Sequence, residues 1–252
     1  MSKIHFTSDY LINPTHQITV LVIGAGGNGS QVLNDLAKIN RCLNELGHVG
    51  LTVSVFDDDI VENSNIGRQQ YSESDIGRFK AEVLVSRLNR FYGTDWEAIP
   101  EKYHRNHKSA NIIISCVDNV ASRIEVKYGF STPLKMVREY EKPLYWLDFG
   151  NGKDFGQFVL GSNLITQPKS EFKTSKKLKN VLNMFPNMEK NEDINSPSCS
   201  TREALQKQDL FINPILVNIG MNLLWKLFSE YRIDYHGGFV NLKTMSMKPI
   251  KI

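Results

Sequence analysis

Ile18–Ile23 (ITVLVI) is apolar but for Thr19 and runs into Gly24-Ala25-Gly26-Gly27. That pattern predicts a buried strand running into a glycine turn. Polar and apolar positions then change to helical spacing. Within Ser30–Leu46, residues Val32, Leu33, Leu36, Ile39 and Leu43 share one face. Gly47–Gly50 interrupts the pattern, and Leu51–Asp57, rich in β-branched residues, predicts a second strand ending in acid. Gly77–Tyr92 returns to the helical period, with Val83, Leu84, Leu88 and Phe91 on one side. Asn111–Asp118 is a short apolar run of the kind covered on both faces in a parallel sheet. Ser122–Phe130 reads as a helix and Pro143–Asn151 as a strand.

Strands alternating with helices predict an α/β fold with a Rossmann-like, mostly parallel sheet flanked by helices. Beyond it, Gly156–Gly161 is expected as an edge strand. Thr166–Ser200 is a long polar crossover loop, lysine-rich and punctuated by Pro168, Pro186 and Pro197. Glu203–Tyr231 is the most apolar helical stretch, with a break expected near Pro214. Gly237–Ile252 is expected to close with a strand. Residues 1–252 are expected to form one domain, with a nucleotide-binding core over about 18–160, the loop at 166–200 and a C-terminal helix and strand over 201–252.

The composition of the 252 residues, 41% hydrophobic and 23% charged with net charge +3, is that of an ordinary globular protein. No dense Lys/Arg stripe with interleaved aromatics points to direct nucleic-acid binding. No run approaches the roughly 20 apolar residues of a membrane span. The N-terminal stretch shows no signal-peptide pattern, and Cys42, Cys116 and Cys199 form no CxxC pair. A cytoplasmic setting is expected. Cys42 and Cys116 read as helix or core residues.

Gly24-x-Gly26-x-x-Gly29 brings backbone N–H groups to a helix N-terminus, where a phosphate binds. Asp57, at the end of the second strand, suits ribose hydroxyls. These features alone fit an NAD(P)-dependent oxidoreductase and an ATP-consuming enzyme equally. The segment Phe56–Glu82 (FDDDIVENSNIGRQQYSESDIGRFKAE) separates them. Arg68 and Lys80 suit β- and γ-phosphates and the charge building on a leaving pyrophosphate, and Asn65 suits a phosphate oxygen. A dinucleotide cofactor must instead stay intact. Asp118 supplies a carboxylate for the Mg²⁺ that accompanies ATP.

The run GAGGNG, DDDIVENSNIGRQ, GRFKAE and CVDNVASR resembles the ubiquitin-activating, ThiF/MoeB superfamily of adenylyltransferases, most of all the ThiF-type proteins of bacterial PRTRC cassettes. The specific motifs cover Ile18 to about Arg123. The resemblance implies adenylation of the C-terminal glycine carboxylate of a ubiquitin-like protein, with ATP and Mg²⁺ and release of pyrophosphate. On this basis Gly24, Gly26, Gly27 and Gly29 cradle the nucleotide and Asp57 binds the ribose. Asn65, Arg68, Gln69 and Lys80 act on the phosphates, Asp118 holds magnesium, and Arg123 is structural. It further implies a homodimer, and a conjugating-type partner in a PRTRC-like context. Sulfur transfer stays open as the alternative occupation, and a non-catalytic nucleotide-binding scaffold as the rival outside enzymes.

Pro197-Ser198-Cys199-Ser200-Thr201 resembles the P-x-C-T stretch of ubiquitin-activating enzymes, with serine in place of threonine. Cys199 is therefore the candidate for thioester transfer, helped by a nearby helix start and Arg202. Two departures stand out. The paired CxxC motifs that bind structural zinc in many relatives are missing, so no such zinc is expected. No arginine precedes Arg41, so either another residue serves in place of the N-terminal arginine that some relatives send into a partner site or that contact is absent. His104-x-x-His107 reads as solvated.

Overall fold

The apolar runs fold into strands because each can be covered on both faces. The computed structural model describes residues 3–131, 138–188 and 208–252. In chain order the strands and helices are β1 (His5–Phe6), α1 (Asp9–Ile12), β2 (Ile18–Ile23), α2 (Gly27–Glu45), β3 (Leu51–Phe56), α3 (Lys80–Tyr92), β4 (Glu97–Ile99) and β5 (Ile112–Ser115). Then come α4 (Val120–Phe130), β6 (Tyr145–Asn151), β7 (Phe155–Ser162), α5 (Val181–Met184), α6 (Ile212–Ser229), β8 (Arg232–Ile233), β9 (Tyr235–Asn241) and β10 (Ser246–Lys251).

One eight-stranded sheet runs β10-β9-β7-β6-β5-β2-β3-β4. The half from β6 to β4 is parallel, and β6–β7, β7–β9 and β9–β10 pair antiparallel. Strand order reverses at β2, with β3 on one side and β5 on the other, and such a switch point opens a crevice beyond the strands' carboxyl ends. Alternation along β2 sorts its side chains to two cores. Val20 and Val22 pack with apolar faces of α2, α3 and α6, whereas Leu21 and Ile23 pack with α4 and α5. Each fully buried side chain of this kind contributes roughly 1.5–3 kcal/mol.

Several boundaries depart from the sequence pattern for physical reasons. Helix α3 starts at Lys80, three residues later than its periodicity suggests, because Gly77 and Arg78 are tied to Val61. The Gly77 N–H donates to the Val61 carbonyl at 2.9 Å, and the Val61 N–H to the Arg78 carbonyl at 2.9 Å. The strand expected at an edge, β7, is interior. The C-terminal residues form a two-stranded hairpin, β9–β10, that pairs along its outer side. Pro214 does not break α6, because it sits in the first turn, where a missing N–H has no intrahelical partner to lose. Residues 203–207, where that helix was expected to begin, lie outside the described residues.

The described part of the polar loop is anchored at intervals. The Ile4 N–H donates to the Lys173 carbonyl and the Ser175 N–H to the Ile4 carbonyl, both at 2.9 Å, while Leu178, Val181 and Leu182 are buried. Strand β1, too short to show a period, brings His5 to full burial against Tyr145.

Candidate active site

The glycine turn is built by two close approaches. Gly24 adopts φ +92°, and a Cβ there would lie 2.8 Å from the Cys116 carbonyl oxygen. A Cβ on Gly29 would overlap the Gly24 carbonyl, so the first turn of α2 sits directly on the turn that precedes it. Backbone bonds fix the turn between strands: the Gly24 N–H reaches the Phe56 carbonyl and the Cys116 N–H the Ile23 carbonyl, each at 2.8 Å. Gly26 is the N-cap of α2, and no side chain caps that end. The first N–H groups of a 19-residue helix are thus left to other acceptors.

Asp57 closes the turn from the tip of β3. Its Oδ2 accepts the Ala25 N–H at 2.5 Å and its Oδ1 the Asp59 N–H at 2.9 Å. Burial pushes this carboxyl above its ordinary range, opposed by the Ala25 hydrogen bond and by Lys80. Beneath the turn, the buried Tyr71 hydroxyl donates to the Ala25 carbonyl at 2.7 Å. Asn28 is buried, and its Nδ2 donates to Asn151 Oδ1 at 2.8 Å.

The cations separate. Lys80 is buried, and its ammonium lies 2.8 Å from Asp59 Oδ2, while the Asp59 side chain stays 67% exposed. Arg68 is half-buried, and burial lowers its pKa. Its Nη1 donates to the Gln208 side-chain oxygen, and its Nε is buried without an acceptor among the described residues. Gln208 shares a pair of longer contacts with Asn213 at 3.3 and 3.4 Å. Asn213 is buried at the start of α6 and packs against Gly27. Arg68 and Gln69 line a hollow of about 260 Å³ with Gln31, Gln70 and Phe211. Gln69 Oε1 also lacks a partner among the described residues, and its Nε2 comes within 4.0 Å of the position a Cβ on Gly26 would take.

Asn65 is buried and caps its own turn, with Oδ1 accepting the Glu62 N–H at 2.9 Å. Asp118 is exposed, two residues beyond Cys116, and accepts a bond from Asn119 Nδ2 at 3.1 Å. Arg123 is held in the interior. Its Nε lies 3.0 Å from Asp148 Oδ1, and Nη2 donates to the Phe149 carbonyl at 3.2 Å. Cys116 is half-buried behind the turn and burial raises its pKa, whereas Cys42 is exposed on α2. Cys199 lies outside the described residues. Asp57 therefore bonds the glycine turn, Gln69 lies beside it near Gly26, and Arg68 joins it through Gln208 and Asn213. Neither Gln208 nor Asn213 carries a sequence signal, because they reach the turn from the far end of the chain.

A glycine turn at the switch point, with a carboxylate at the tip of the next strand, defines a Rossmann-like fold with its crevice at the strand ends. The chain belongs to the ThiF family, whose profile matches residues 7–134. It is 34% identical over 110 residues to the NEDD8-activating enzyme E1 catalytic subunit of Caenorhabditis elegans, covering 41% of this chain and 24% of that protein. It is 36% identical over 105 residues to the adenylyltransferase and sulfurtransferase uba4 of Neosartorya fischeri, covering 41% and 19%. The chain thus spans about a quarter or less of these curated relatives. Among solved structures, Escherichia coli MccB superposes with TM-score 0.60 at 17% identity over 96% of this chain and 63% of MccB. PaaA superposes with TM-score 0.58 at 14% identity over 94% and 64%. These likenesses show the fold. No described helix is long and apolar enough to cross a membrane.

Proposed function

We propose that this chain activates a protein carboxylate by ATP-dependent adenylation, the acceptor being the C-terminal glycine of a ubiquitin-like or sulfur-carrier protein. The observation that carries this reading is Arg68. A half-buried guanidinium with a donor lacking an acceptor, linked to the glycine turn through two amides, suits an incoming anion. The turn and the α2 N-terminus would take the α-phosphate and Asp57 the ribose. The acceptor carboxylate oxygen attacks the α-phosphorus, and the bond from that phosphorus to its bridging oxygen breaks. The electron pair leaves with pyrophosphate, whose charge Arg68 offsets. Lys80 would do the same by exchanging Asp59 for phosphate.

Magnesium carried by ATP needs one or two protein carboxylates beside phosphate oxygens, and exposed Asp118 at the strand end fits that demand. Bound there, the ion would neutralise phosphate charge. Among the described residues no group of three or more His, Cys, Asp or Glu could hold a metal by itself. Cys199 would then take the acyl group from AMP as a thioester, on the strength of its P-S-C-S-T run. The names of the relatives, a NEDD8-activating enzyme and an adenylyltransferase, support the adenylation step. A homodimer and a cytoplasmic setting belong to the same reading.

Exchange of labelled pyrophosphate into ATP, with a candidate glycine-terminated protein present, tests it. Exchange lost in Arg68→Ala and Asp118→Ala supports adenylation. Hydride transfer without exchange would make the protein an oxidoreductase, and nucleotide binding without either would make it a scaffold. A thiol-sensitive adduct missing only in Cys199→Ala would establish the transfer step.

A further inference from the structure

We infer that Gln208 is a positioning residue that turns the Arg68 guanidinium so that one edge is ready for the triphosphate. The inference rests on the reading that Arg68 meets phosphate. A guanidinium offers bidentate grip along its Nε–Nη2 edge, and the remaining nitrogen, Nη1, is the one bonded to the Gln208 oxygen. Nε, on the gripping edge, is buried with no acceptor among the described residues. A buried donor without an acceptor is costly, and a bound phosphate oxygen would satisfy it.

Gln208 does not float. Its oxygen also accepts from Asn213 Nδ2 at 3.3 Å, and its own Nε2 contacts Asn213 Oδ1 at 3.4 Å. Asn213 in turn is 1% exposed and wedged against Gly27. The start of α6 therefore sets where Arg68 stands relative to the glycine turn. A neutral amide suits this task. It fixes the orientation without cancelling the charge, as a carboxylate in its place would.

The test measures binding of MgATP and of AMP to the full chain by calorimetry in wild type, Gln208→Met, Arg68→Met and the double variant. AMP lacks the phosphates Arg68 would meet. Gln208→Met is expected to weaken MgATP about fivefold to tenfold, the scale of one modest hydrogen-bond contribution, and to leave AMP unchanged. In the Arg68→Met background the same change should cost nothing further. Gln208→Glu should weaken MgATP more than Gln208→Met, by pairing with Arg68; it also serves if the Met variant does not fold. MgATP binding unaltered in Gln208→Met but weakened in Arg68→Met would overturn the inference alone. MgATP binding unaltered in Arg68→Met would overturn the phosphate role of Arg68 as well. Equal losses for MgATP and AMP, or equal losses with and without Arg68, would mean that Gln208 acts through the fold.

Discussion

Asp57 Oδ2 accepts the Ala25 N–H at 2.5 Å, so the tip of β3 and the glycine turn form one hydrogen-bonded unit. The carboxylate shapes the turn, and in the proposed function it would also take the ribose. Asp57→Ala removes both and should weaken ATP binding by about tenfold or more, since a charge-assisted hydrogen bond contributes about 1.5–3 kcal/mol. Calorimetry with ATP and with inorganic triphosphate separates the two roles. A loss confined to ATP reports the ribose contact, and an equal loss reports the turn.

Gly24→Ala should destabilise the protein by about 2 kcal/mol or more. Left-handed backbone alone costs an L-residue about 1–2 kcal/mol, and the Cys116 carbonyl must also give way. Urea unfolding measures it. A loss below half that size would mean that the turn relaxes freely.

Lys80 and Asp59 make an uneven pair, one buried and the other mostly exposed. Asp59→Ala should cost about 1 kcal/mol, because solvent screens the exposed partner. The buried ammonium would then lack its anion. ATP should therefore raise the melting temperature of Asp59→Ala more than that of the wild type. An equal or smaller rise would show that Lys80 does not meet phosphate.

Arg123 and Asp148 are both buried, and Ser115 Oγ adds a bond to the carboxylate at 2.5 Å. Burial pushes Asp148 upward, and Arg123 opposes that shift. Arg123→Ala strands the carboxylate and should cost about 3 kcal/mol or more. Adding Asp148→Asn should recover part of it. No recovery in the double variant would locate the loss in packing rather than charge.

Burial holds the His5 imidazole down at about 4, well below its ordinary value. The unfolded chain therefore binds a proton there that the folded chain refuses. Stability is full above about pH 6.5 and falls as pH drops toward 4, by roughly 3 kcal/mol in all from this group. His236, also lowered by burial, adds in the same direction. His5→Gln should flatten the slope of unfolding free energy between pH 6.5 and 4. An unchanged slope would assign it elsewhere.

The parallel half of the sheet was readable because Ile18–Ile23, Leu51–Phe56 and Ile112–Ser115 are mostly buried and rich in Val, Ile and Leu, with Thr19, Thr52, Ser54 and Ser115 the only polar positions among them. The antiparallel half was less so. Strands β9 and β10 mix exposed and buried positions with a proline, and only pairing with β7 makes them strands. Gly24, Gly29 and Asp57 were legible because a turn and a strand end are local features. The partners of Arg68 and Lys80 were not. Asp59, Gln208 and Asn213 are set by how a closed loop and a distant helix pack, and no spacing along the chain encodes that.

The contact of Asn213 with Gly27 means that the motif-bearing half is not a portable module. A fragment ending after β7 would keep every glycine of the loop and yet bare the seam of α2 that α6 covers. Grafting or splitting the protein there should yield an aggregating piece, and a soluble fold only when the two halves are mixed again.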